Sequence, residues 1–172
     1  MSIIHKVKSR KIAFLYYYQH HFIQRINYYD ISETIAEEPI LGQDLILELT
    51  QQQNHNPIVS IASQLWYQDN MYDRGFAQDL IQAYPLFEDQ MVQIIKPYTA
   101  TFDYTEMNAI EQAILHLGYT EYMQVHTPYK IIIDQMVEIA KRYSTPSSAK
   151  LINGVLHTLL SACESSVVSS SH

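Results

Sequence analysis

Among the 172 residues, the side chains that could do chemistry beyond simple charge are eight histidines, one cysteine and fourteen tyrosines. His20 and His21 are neighbours, so on a helix they diverge by about 100° and cannot chelate one ion together. They read as surface or interface histidines. The sequence holds no glycine-rich phosphate loop, no glycine-flanked serine nucleophile and no cysteine pair. No histidine–carboxylate set repeats at metal-ligand spacing along one helix face, so neither a catalytic centre nor a resident metal or cofactor is expected. Cys163 cannot close an intramolecular disulfide, which suits a reducing compartment. Near the end of the last helix it reads as a buried or half-buried small residue. Tyrosines at helical spacing are expected in the core or at interfaces, each with a wetted hydroxyl.

Two charged features remain. Lys6, Lys8, Arg10 and Lys11 give residues 1–11 a local charge of +4 in a chain whose net charge is −7. Residues 12–95 carry −9 and residues 96–172 carry −2. Such a chain repels phosphate at long range, yet a cationic end can still bind it once docked. Nucleic-acid binding should then be local, salt-sensitive and helped by a partner. The plain alternative is a solvated helix start, but cations there oppose the macrodipole, which makes a functional reading of the cluster as good as the structural one. The second feature is Lys150 in SSAKLINGVL, where a cation beside the unpaired amides of a helix start makes an anion site. Its plainer alternative is a solvated lysine in a capped first turn.

The elements that must position these residues are helices. Only four glycines and no period-2 β-branched runs point to an all-α chain. The length fits one domain able to bury a core without disulfides or metal. The spelling Asp103-Tyr-Thr-Glu106 predicts a capping box, with a helix from Met107 to about Tyr122. Thr127-Pro128 predicts an N-cap and first helical position, with Tyr129, Ile132, Ile133, Met136, Ala140 and Tyr143 on one stripe. Lys141 and Arg142 suit its last turn. A third helix is expected from about Ser148 to Leu160, its stripe made by Leu151, Ile152, Val155, Leu156 and Leu159. Together these make a three-helix bundle. In the N-terminal half, helices are expected from Lys8 to about Gln24 and near Leu41–Gln52, Pro57–Gln68, Arg74–Tyr84 and Leu86–Ile95. The polar stretch QQQNHNP (51–57) reads as a loop. The Ser-rich residues 161–172 read as a disordered tail. No run approaches the ~18–20 apolar residues of a membrane span, and a soluble, cytoplasmic protein is expected.

Taken together, EQAILHLGYTE (111–121), TPYKIIIDQMVEIAKRYS (127–144) and KLINGVL (150–156) resemble the NusB transcription-antitermination family. The family pattern runs E-x-A-I-L-R-L-A-x-Y-E, then V-P-Y-K-V-V-I-N-E-A-I-E-L-A-K, then F-V-N-G-V-L. KPY (96–98) and RKIAFLYYYQ (10–19) are similar to its K-P-Y element and its A-R-x-x-A-L-Q-A-L-Y-Q opening. Residues 25–75 show little of this likeness and are longer than usual.

The resemblance implies an all-helical fold of two packed three-helix subdomains. In this chain they would be about residues 1–98 and 103–160 of a single domain spanning 1–160. It implies binding rather than catalysis: recognition of the boxA element of nascent ribosomal RNA together with NusE, a ribosomal small-subunit protein. The complex would then load on RNA polymerase and suppress premature termination. By position, Arg10 with Lys6, Lys8 and Lys11 would form the RNA-binding arm. Tyr18 and Tyr98 fall on family tyrosines, Tyr98 as a base-stacking candidate, and Lys150 would touch phosphate. Glu111, Ser147, Leu151 and Asn153 would face the partner. The sequence departs from the pattern at His116, where an RNA-contacting arginine is usual, at Ser147, where an acid is usual, and at Leu151, where an aromatic is usual. The alternative is a NusB-like interaction module, NusE-binding or associated with a ribosomal-RNA methyltransferase, with RNA binding weakened or lost. Self-association through the partner surface would give a homodimer.

Overall fold

The structure is a computed structural model that describes residues 2–33, 56–98 and 100–170. The expected helix at 41–52 and most of the polar stretch 51–57 lie outside these residues. Among those described there are seven α-helices and no strand. They are α1 (Ile3–Glu33), α2 (Pro57–Gln64), α3 (Arg74–Gln82), α4 (Glu88–Ile95), α5 (Ala109–Val125), α6 (Tyr129–Tyr143) and α7 (Pro146–Ser170). Helices α1, α2 and α3 pack on one another, as do α5, α6 and α7, and α1 lies along α5 to join the two sets.

Helix α5 is the centre of the molecule. Every residue from Ala113 to Glu121 is buried, so this stretch of the helix has no solvent face. Gly118 lets its neighbours come close: a Cβ there would stand 3.2 Å from both Leu156 Cδ2 and Met136 Cγ. Gly154, by contrast, has open space where a Cβ would go, so its place in the N-G pair is not set by packing. The predicted stripes of α6 and α7 form the core: Ile132, Ile133, Met136 and Ala140 face Ile152, Val155, Leu156 and Leu159, all buried. Leu151 is half-buried at the edge.

Three local expectations are corrected. Asp103 does not start the long helix. It accepts from the Thr105 N–H and caps a single 3₁₀ turn, Tyr104–Glu106. The capping box lies five residues on, where the Asn108 side chain accepts from the Glu111 N–H and the Glu111 carboxylate from the Asn108 N–H. Pro128, not Thr127, is the N-cap of α6. Lastly, α7 continues through the Ser-rich stretch to Ser170. Ser165, Ser166, Ser169 and Ser170 each donate a hydroxyl to the carbonyl four residues back, so the serines satisfy themselves on the helix. At 25 residues, α7 is long and apolar enough to cross a membrane by length and composition, where the sequence was expected to hold no such run. Its apolar stripe is packed against α5 and α6.

Candidate nucleic-acid interface

The basic arm divides into one buried, two half-buried and one exposed side chain. Arg10 is 4% exposed, and its Nε and Nη2 donate to both carboxylate oxygens of Glu121 at 2.6–3.1 Å. Its guanidinium also stacks on the Phe76 ring, 5.0 Å from the centroid. Arg10 therefore has its charge neutralised in a buried structural pair. A buried guanidinium needs a carboxylate to offset its lost hydration, and the bidentate fork supplies one. Lys6 is exposed, with Nζ 5.4 Å from the Phe76 ring centroid. Lys8 lies over Tyr67 at 5.2 Å.

Lys11 shows where these cations point. Its pKa is lowered by partial burial, and then by the positive charges of Arg142 and Lys8. The first turns of α1 and the last turn of α6 thus bring three cations together. A groove of about 440 Å³ between them is lined by Lys11, Lys141 and Arg142, with Gln135 and Glu138, and the paired Arg10 forms part of its wall. Glu138 pairs with Lys141 at 3.0 Å, but both side chains are more than half exposed, so the pairing is weak. Lys141 also lines a second groove of about 510 Å³ with Lys150, Asn153 and Pro146. A cationic strip therefore runs from Lys8 through Lys11, Arg142 and Lys141 to Lys150. Lys141 and Arg142 were read from sequence only as helix-end charges; the signal that they were more is their place in the I-A-K-R run.

Other expected site residues are placed differently. His116 is fully buried in α5, its Nε2 2.9 Å from the Tyr84 carbonyl and its Nδ1 3.0 Å from His21 Nε2. No RNA can reach it, because that stretch of the helix has no solvent face. Burial holds His116 down to about 3 and His21 to about 4, so both are neutral. Glu111 is also buried: its carboxylate takes the Asn108 N–H and, at 2.5 Å, the Ser148 hydroxyl. It closes the start of α5 against α7 and has no free face for a partner. Ser147 and Asn153 are exposed on α7. Tyr18 is half-buried, stacked on Phe14 with centroids 6.2 Å apart. Tyr98 is 40% exposed and stacked on Phe102, on the connection after α4.

The sequence reading missed Trp66. It is 89% exposed and sits at φ 59° just past α2. Trp66 N–H donates to the Ser63 carbonyl and Tyr67 N–H to Ala62, which closes the helix in the left-handed turn usually given to glycine. A tryptophan held both exposed and left-handed next to the ring under Lys8 is costly for the fold alone.

The sequence model of the NusB family matches residues 7–161. The transcription antitermination protein NusB of Picosynechococcus sp. is 32% identical over 83 residues, covering 48% of this chain and 39% of that protein. The NusB of Salinibacter ruber is 32% identical over 88 residues, covering 51% of this chain and 55% of its own length. The chain thus spans about half the length of these curated relatives. Among solved structures, T. maritima NusB superposes with a TM-score of 0.56 at 20% identity, covering 89% of this chain and 88% of that one. That likeness carries the fold, and the family match over most of the chain carries the membership: the chain belongs to the NusB family.

Proposed function

We propose that this protein is an RNA-binding antitermination factor. It takes a boxA-type single strand of nascent ribosomal RNA together with NusE and helps RNA polymerase pass premature termination sites. The observation that carries this reading is the cationic strip Lys8–Lys11–Arg142–Lys141–Lys150, concentrated on one surface of a chain with net charge −7. Single-stranded RNA is held by cations along its backbone and by aromatic faces for its bases. Trp66, next to Tyr67 beneath Lys8, supplies such a face, and Tyr98 a second. The acidic remainder of the chain disfavours unassisted binding, which fits recruitment by a partner. The role is binding rather than catalysis, in the cytoplasm.

A second reading has its own support. Ser147 and Asn153 are exposed without charge beside the Lys150 groove, and Leu151 is half-buried there. That surface suits a protein partner such as NusE, or a second copy of the chain, as well as phosphate. The deciding experiment titrates labelled boxA RNA and a scrambled control, with and without NusE, at two salt concentrations. Tighter boxA binding that NusE enhances supports antitermination. NusE binding without RNA discrimination supports an interaction module, including one associated with a ribosomal-RNA methyltransferase.

A further inference from the structure

His21, Glu88 and His116 lie far apart in sequence, yet their ligand atoms all fall within 4.8 Å of one another. They come from three helices: His21 from the middle of α1, Glu88 from the first turn of α4 and His116 from α5. His21 Nε2 stands 3.0 Å from His116 Nδ1, and the Glu88 carboxylate oxygens stand 3.6 Å from the first and 3.9 Å from the second. Two ligand atoms about 2.0–2.1 Å from a zinc ion at the tetrahedral angle would be roughly 3.3–3.4 Å apart. The observed separations bracket that spacing.

The surrounding bonds prepare the donors. A carbonyl only accepts, so the Tyr84 carbonyl at 2.9 Å fixes the proton of His116 on Nε2 and leaves a lone pair on Nδ1. The Tyr104 hydroxyl donates to Glu88 Oε1 at 2.7 Å and orients that carboxylate. Without a metal, His21 donates its Nε2 proton to His116 Nδ1. Coordination requires His21 to move that proton to Nδ1, a tautomer change with no net charge. Arg25 donates to the Met107 carbonyl, and its charge reaches His21, opposing a second cation. Glu88 offsets it, and its 28% exposed side chain leaves solvent access for a fourth ligand.

We propose that His21, Glu88 and His116 form a divalent transition-metal site of the zinc type that fastens α1, α4 and α5, with water as fourth ligand. Two imidazoles and a carboxylate favour zinc or cobalt over magnesium, which prefers oxygen. His20 takes no part: its Nδ1 lies 2.9 Å from the Tyr16 carbonyl.

The test uses the full untagged chain, stripped with a chelator and dialysed. Zn²⁺ is titrated calorimetrically, Co²⁺ by its visible spectrum, and Mg²⁺ serves as control. The expected result is one Zn²⁺ per chain, a raised melting temperature and the strong visible bands of four-coordinate cobalt, with no response to Mg²⁺. Glu88→Gln keeps the shape of the side chain and should weaken Zn²⁺ at least about tenfold, with loss of the melting shift. His116→Asn should abolish binding; if it does not fold, Glu88→Gln decides alone. Absence of Zn²⁺ binding by the folded wild-type chain would overturn the proposal. So would equal binding by Glu88→Gln.

Discussion

Helices α1 and α5 are bolted together twice, by opposite chemistry. Near the start of α1, Arg10 meets Glu121 in a buried ion pair with three hydrogen bonds. Further along, His21 meets His116 in a neutral pair with a single hydrogen bond between rings. The ion pair uses up its own charge: both partners are inside and each neutralises the other. The histidine pair carries no charge, and a carboxylate stands beside it, so a tautomer change can turn both ring nitrogens into ligands. Buried partners that fix each other by charge hold a fold, whereas a neutral pair whose shared proton can move can also hold a ligand.

The largest effect should come from splitting the ionic bolt. Arg10→Met alone leaves the Glu121 carboxylate buried without a partner and should cost about 3–5 kcal/mol in urea denaturation. The double variant Arg10→Met with Glu121→Leu should recover most of that loss, because neither charge is then stranded. Equal losses in the single and double variants would mean that packing, not charge, makes this contact.

Splitting the neutral bolt should cost less. His116→Phe keeps ring contact with Tyr17 and Tyr84, whose centroids lie 4.8 and 4.7 Å away. It strands the Tyr84 carbonyl and the His21 N–H, a loss of about 1–3 kcal/mol in chelator-treated protein. If that loss matches the one at Arg10, the two crossings are not different in kind.

The same contrast explains what could be read from sequence. The stripes of α6 and α7 were legible because burial on one helix face leaves a 3.6-residue period. The two crossings were not, because their partners are 111 and 95 residues apart and periodicity carries no information at that range. Arg10 illustrates the limit. Its type and position matched the family opening and suggested RNA, yet Glu121 at the far end of the E-x-A-I-L pattern is its partner. Matching residues at both ends of a pattern can mark a structural pair as readily as a surface. His21 was set aside because only its neighbour His20 was weighed as a co-ligand. Capping misled locally: Asp103 and Asn108 each precede a glutamate by three, and only the second pair closes the box around a long helix.

Trp66 extends the contrast to the surface, where fold and function pull apart. Trp66→Gly relieves the left-handed backbone, so stability should stay level or rise by up to about 1 kcal/mol in thermal or urea melts. If the ring stacks on a base, RNA affinity should fall by about 1–3 kcal/mol in the same variant. A loss of stability with unchanged RNA affinity would make Trp66 a structural residue after all.

The finest comparison is between two adjacent cations. Arg10 and Lys11 differ by one position on α1, and the helix turns one inward and the other towards Arg142. Lys11→Gln removes a half-buried charge that Arg142 and Lys8 repel, and should change stability by no more than about 1 kcal/mol in urea denaturation. It should lower the slope of log affinity against log salt by about 0.7, one phosphate contact on a single strand. The Arg10→Met, Glu121→Leu double variant should keep the slope, because the two charges it removes already neutralise each other. A slope that drops equally in both would place Arg10 in contact with RNA and require the ion pair to open on binding. A slope unchanged in both would move the RNA off this strip and leave the Lys150 groove to a protein partner.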